Sequence, residues 1–289
     1  MGYRSMLRPD CFGGRTMVVT GGGSGIGRCV AHELASLGAH VVITGRNREK
    51  LDRVLAEIAE DGGSAEARAF DIRDEEAVRA SIASIVATRG PIHGLVNNAG
   101  GQFPAPLQAI SKKGFDAVVS NNLTGGFLVM REVYLQAMEK TGGAIVNMAA
   151  DMWRGMPGMA HSGAARAGTV NLTKTAAYEW GPAGVRVNCV APGWIASSGM
   201  DTYDGMTKAL IPTLKKHVPV GRLGVEAEVS SVICFLLSDA AAFVTGVTVP
   251  IDGGAPLGSA LFPIGQGRGT EPFDGFHRAT VPDVLRGEG

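Results

Sequence analysis

Short apolar runs recur along the chain, each separated from the next by room for a helix. Residues 17–20 (MVVT), 40–44 (HVVIT), 67–70 (ARAF), 94–97 (GLVN), 144–148 (AIVNM), 186–190 (RVNCV) and 247–251 (VTVPI) read as strands. Nearly all lack in–out alternation, as strands buried on both faces of a parallel sheet do. The segments between them carry a helical period. In residues 47–60, Leu51, Val54, Leu55 and Ile58 fall at i, i+3, i+4 and i+7. Asp74 precedes Glu75 and Glu76, which makes a helix N-cap with acids in its first turn. This alternation predicts an α/β fold, a doubly wound, seven-stranded parallel sheet of the Rossmann type with helices on both faces. Residues 1–254 form one domain in this reading. From Ala255 the chain turns rich in Gly and Pro and loses its period. Residues 255–289 are then an extension wrapped on the domain or on a neighbouring subunit, with residues 272–276 (PFDGF) as an apolar anchor, or else a disordered end.

Composition narrows the function classes. The 289 residues hold 27 basic and 27 acidic side chains, so nothing in the charge points to nucleic acid. The first residues lack the apolar core of a signal peptide, and no run is long enough for a membrane span. A myristoylation motif would need Ser or Thr where Met6 stands. Cys11, Cys29, Cys189 and Cys234 are scattered without CxxC spacing, which suits free thiols in the cytoplasm. No His/Cys/Asp grouping has metal-ligand spacing, so no metal is expected. The 42 glycines are concentrated where tight turns and ligand approach would need them.

The densest of these places is residues 20–27 (TGGGSGIG), directly after the first strand and at the start of a helix. Strand–turn–helix context makes it a dinucleotide-binding turn. Gly21 allows the turn, and Gly25 leaves no side chain between backbone and pyrophosphate. Gly27 lets helix and sheet pack closely. Gly23, Ser24 and Ile26 complete the loop, whose helix N-terminus offers N–H groups to the anion. The second strand ends on Thr44-Gly45-Arg46, with no acid to take ribose hydroxyls. A guanidinium there suits a 2′-phosphate, so NADP(H) is favoured over NAD(H). Asp71, followed by Ile72, is placed to meet the adenine.

The succession TGGGSGIG, Asn97-Asn98-Ala99-Gly100, Asn122 and Ala191-Pro192-Gly193-Trp194-Ile195 resembles the short-chain dehydrogenase/reductase family over about residues 12–254. The resemblance implies cofactor contacts from Asn98, Ala99 and Gly100, and from Pro192, Gly193 and Ile195 at the carboxamide end. It also implies a small-molecule substrate and a homotetramer. Family members commonly use Asn, Ser, Tyr and Lys in catalysis, with Tyr-x-x-x-Lys on one helix. This chain departs there. Residues 161–168 read HSGAARAG, which puts Ser162 at the Tyr position and Arg166 at the Lys position. Ala149 replaces the usual Ser, and only Asn122 is kept. Tyr178 is too far along the helix, roughly 24 Å, to substitute.

A serine hydroxyl is too weak an acid for tyrosine's role, and Arg stays protonated. Reducing a double bond conjugated to a thioester needs no base at a hydroxyl, only donors for the enolate oxygen. Residues 97–103 (NNAGGQF) and 161–168 resemble the trans-2-enoyl-CoA and 2,4-dienoyl-CoA reductase branch of the family. Asp151 stands where dienoyl reductases hold the thioester with a Tyr. The tail PFDGFHRAT is similar to that of bacterial family members assigned to citronellol breakdown. Three readings stay open: reduction of an enoyl or dienoyl acyl-CoA, oxidoreduction of a terpenoid or fatty alcohol or carbonyl, and dinucleotide binding with little catalysis. Asn122 is expected to hold the substrate carbonyl or a water. Ser162 should hydrogen-bond substrate or ribose, Arg166 should hold the ribose hydroxyls, and His161 is a candidate proton donor. Asp151, Trp153, Trp194 and Met200 should border the substrate. Within residues 196–220, Met206, Leu210 and Leu214 could line an acyl channel, and Lys208, Lys215 and Lys216 could meet CoA phosphates.

Overall fold

A computed structural model describes residues 2–258, 264, 265, 267 and 269–286. Its centre is a seven-stranded sheet, all parallel. The strands are β1 (Thr16–Thr20), β2 (His40–Gly45), β3 (Ser64–Ala69), β4 (Gly94–Asn97), β5 (Gly143–Met148), β6 (Val185–Pro192) and, after a small two-stranded pair, β9 (Thr248–Ile251). The small pair joins β7 (Ile195–Ala196) to β8 (Gly224–Val225). The order across the main sheet is β3-β2-β1-β4-β5-β6-β9. The direction of winding reverses between β1 and β4, which opens a crevice at their carboxyl ends.

Successive residues of β1 explain why the strands show no alternation. Met17 and Val19 pack into the layer formed with α1 (Gly25–Ser36), α2 (Arg48–Glu60) and α9 (Glu226–Leu237). Val18 faces the opposite layer, with α3 (Glu75–Arg89), the helix from residue 112 and α7 (Ala160–Trp180). Both faces are dry, so each position must be apolar. The expected helix signals hold. Leu51, Val54 and Ile58 are buried, and Asp74 accepts from the Ala77 amide at 3.1 Å. The third strand lies earlier than residues 67–70, pairing Ser64 through Ala69 with β2.

One long helix runs through α4 (Lys112–Val119), α5 (Gly125–Val133) and α6 (Glu139–Thr141), joined by π-helical turns at Ser120–Thr124 and Tyr134–Met138. The short α8 (Gly205–Leu210) lies in the segment after β7. The described part of the tail packs on its own chain. Phe276 is buried with Tyr3, Cys29 and Ala227, and half-buried Phe273 packs beside them. His277 and Arg278 reach Asp61 at 3.0 and 2.9 Å. Near the end, the Val284 amide donates to Asp201 Oδ1 at 3.1 Å. No described helix is long and apolar enough to cross a membrane. All four cysteines are unpaired.

Candidate active site

The crevice begins where β1 ends. Gly21 and Gly25 take φ of 68° and 57°, values that favour glycine, and α1 starts at Gly25. Ser24 caps nothing with its side chain, and the first turn of α1 carries no acid. The opening N–H groups are thus left for an anion. A Cβ on Gly25 would approach nothing nearer than Glu226 Oε1 at 3.9 Å, whereas one on Gly27 would lie 2.4 Å from the Gly21 carbonyl. Open space at the first and close packing at the second are what a pyrophosphate cradle needs. Gly23 packs on Lys50, and half-buried Ile26 on the core.

Asn98 is tied to the end of β1. Its Nδ2 donates to the Thr20 carbonyl at 2.9 Å, and its backbone and that of Ala99 donate to Thr20 Oγ1. These bonds brace the glycine turn. At the adenosine end, Arg46 is exposed and has no hydrogen bond or ion pair among the described residues. Arg48 is held by Asp52 at 2.7 Å. Asp71 is clasped by Arg73 at 2.5 Å, which pulls its carboxyl down to about 2. Ile72 is buried over Gly125.

At the other end, α7 brings Ser162 and Arg166 to one face, as their spacing requires. Arg166 is half-buried, donates from Nη1 to the Met148 carbonyl at 2.5 Å, and leaves a buried Nε without a partner. No described carboxylate pairs with it. Burial pulls its pKa down to about 10. Its Nη2 lies so near Gly100 that a Cβ there would be 2.8 Å away. An open helix N-terminus, an unpaired guanidinium at one end and a half-buried, under-partnered one at the other together fit a dinucleotide phosphate.

Three residues expected to meet the substrate are engaged within the protein. Asn122 sits in the π turn with both amide hydrogens spent, on Gly101 O at 2.6 Å and Val118 O at 3.0 Å, while its Oδ1 accepts from the Gly101 amide. It holds the loop after β4 and has no hydrogen left for a substrate. Ser162 is fully buried, and its hydroxyl donates to Gln102 Oε1 at 2.5 Å. His161 is also fully buried. Its Nδ1 accepts from the Ser162 amide, its Nε2 is unpartnered, and its ring packs edge-on against Phe103 with centroids 4.5 Å apart. Tyr178 is 87% exposed at the far end of α7 and takes no part.

The residues expected to border the substrate have the following surroundings. Asp151 donates its amide to the Pro192 carbonyl, and burial and Asp252 push its carboxyl pKa up. Trp153 and Trp194 are about half exposed, and Met200 is buried. Gly193 packs on Asp252, and Ile195 is held in the β7–β8 pair. Lys208 is exposed, Leu210 faces outward, and Leu214 is half-buried. The Met206 side chain lies outside the described residues. Sequence reasoning missed Gln102 and Tyr203. Gln102 Nε2 donates to the Tyr203 hydroxyl at 3.1 Å. Gln102 stood inside the quoted NNAGGQF string; Tyr203 carried no signal.

The chain is similar to several known proteins. A family model described as enoyl-(acyl carrier protein) reductase matches residues 21–256. A Bacillus subtilis protein assigned as a 2,4-dienoyl-CoA reductase is 37% identical over 244 residues, covering 83% of this chain and 96% of its own. The structure of a citronellol catabolism dehydrogenase from Pseudomonas aeruginosa PAO1 is 60% identical, with a TM-score of 0.81, over 88% of this chain and 100% of that one. A Beutenbergia cavernae structure, assigned as an NAD(P)-dependent gluconate 5-dehydrogenase, contains NADP at low occupancy. It is 35% identical, with a TM-score of 0.79, over 86% of this chain and 99% of its own.

Proposed function

Because this chain belongs to the short-chain dehydrogenase/reductase family of oxidoreductases, we propose that it reduces a 2-enoyl- or 2,4-dienoyl-CoA with NADP(H). The observation that carries the proposal is the face of α7. It presents no tyrosine, its serine hydroxyl is buried and already donating, and its cation is an arginine. Oxidation of an alcohol needs a group that takes the hydroxyl proton, and this face has none. Reduction of a conjugated double bond needs charge held on a thioester oxygen, which donors alone achieve.

Bound reduced nicotinamide supplies the hydride. The turn of residues 21–27 takes the pyrophosphate, Arg46 the 2′-phosphate, and Arg166 the nicotinamide ribose. Pro192, Gly193 and Ile195 border the carboxamide. Asp151, Trp153, Trp194 and Met200 shape the acyl side. A homotetramer in the cytoplasm is the setting that the family resemblance and the scattered thiols imply.

The test is NADPH oxidation across 2-enoyl-CoAs, 2,4-dienoyl-CoAs and terpenoid aldehydes, with NADP+ reduction followed on terpenoid alcohols. Turnover is expected on the thioesters alone, and is expected to be lost in Arg166→Ala. Arg46→Ala is expected to raise the KM for NADPH by about 10- to 100-fold, the worth of one charged hydrogen bond, with NADH unaffected. A second reading, a terpenoid alcohol or carbonyl as substrate, is favoured by the 60% identity to the citronellol catabolism dehydrogenase. Turnover confined to those compounds would establish it instead.

A further inference from the structure

The proton on Ser162 Oγ points to Gln102, and the amide of Gln102 points on to Tyr203. The direction of this chain matters. Tyr203 accepts from Gln102 Nε2, so its own O–H hydrogen remains unspent, and no described residue accepts it. The phenol is half-buried and belongs to the segment that follows β7. Three separate elements therefore converge on it: α7 through Ser162, the loop after β4 through Gln102, and that segment itself. That segment is fixed on its own account. Met200 is buried beneath it, the Tyr203 amide donates to the Met200 carbonyl at 3.3 Å, and Asp201 is held by the tail.

We propose that Tyr203 donates the hydrogen bond to the substrate's thioester oxygen, and that Ser162 acts as a positioning residue that aims it through Gln102. The inference rests on the thioester-reduction reading. Hydride addition at the β-carbon (or the δ-carbon of a dienoyl chain) breaks the carbon–carbon π bond. Its electron pair collects on the thioester oxygen as an enolate. The acyl chain gains two electrons, the nicotinamide loses two, and the new C–H bond at the other carbon takes its proton from water. Tyr203 gives up no proton in this account; it holds the oxyanion. A phenol is a far better donor to such an oxygen than an aliphatic hydroxyl, and Ser162 has none to offer directly because its hydrogen is committed.

The experiment compares wild type with Tyr203→Phe and Gln102→Ala. Tyr203→Phe is expected to keep the melting temperature, the NADPH affinity and the acyl-CoA KM. Its kcat on a 2-enoyl-CoA should fall about 100-fold, the usual cost of one oxyanion donor. Gln102→Ala keeps the phenol but releases it, and should give a smaller loss. A second readout uses no cofactor: titration with a 3-oxoacyl-CoA, whose enolate absorbs in the near ultraviolet. Wild type should strengthen that band and Tyr203→Phe should not. If wild type reduces 2-enoyl-CoA and Tyr203→Phe matches it in both assays, this proposal is overturned while the thioester reading stands. If wild type reduces no thioester at all, that reading fails and takes this inference with it.

Discussion

Glu226 opens α9 beside the pyrophosphate turn, 7% exposed, with no described hydrogen-bond donor on its carboxylate. Burial pushes its pKa up from 4.5 to about 7, against the pull of Arg28. A carboxyl whose pKa is higher folded than unfolded binds its proton more tightly in the native state. Stability is therefore greatest below the unfolded value and falls as pH rises from about 4.5 through about 7. The loss approaches about 3 kcal/mol. Glu226→Gln is expected to flatten this decline, which urea unfolding at pH 5 and pH 8 would reveal as a raised midpoint at the higher pH only. No residue pattern announces it, because a carboxylate at a helix start ordinarily serves the dipole. Ser162 and Arg166 were legible through their motif register. The partner of Ser162, sixty residues away in Gln102, was not, because a hydrogen bond between distant loops leaves no local pattern.

At the scale of elements, the strands inside the sheet could be read from apolar runs, since burial on both faces demands them. The edge strand β3 could not be placed as well. Its exposed and half-exposed positions admit Ser64 and Glu66, which disguise where it starts. The π turn at Ser120–Thr124 was also hidden, although its key residue was marked. The widened turn sets Asn122 where it can bond Gly101 through both amide and carbonyl. Asn122→Ala removes these part-buried bonds together with the buried one to the Val118 carbonyl, and is expected to cost about 1–3 kcal/mol of stability. Denaturant midpoints would show the loss. NADPH affinity should weaken as well, since Gly100 and Gly101 lose their brace. A variant that kept full stability would refute the structural role assigned to Asn122.

Over the whole molecule, the tail is the part that periodicity could not read. Its anchor was recognisable as an apolar cluster. The clasp around it was not: Arg28 lies over the Phe276 ring at 5.0 Å, and Asp61 gathers His277 and Arg278. Those partners come from α1 and the end of α2, and no spacing along the chain announces them. Phe276→Ala is expected to cost about 3–5 kcal/mol, as for other buried aromatics. It should also raise the acyl-substrate KM more than the NADPH KM, because the same tail continues to Asp201. Parallel thermal melts and steady-state kinetics would check both.

The bond between Val284 and Asp201 ties the last described turn to the segment that follows β7. Hybrids that exchange only one of these two segments with a homologue would inherit a mismatched pair. Substrate preference and the sequence around Val284 should accordingly diverge together.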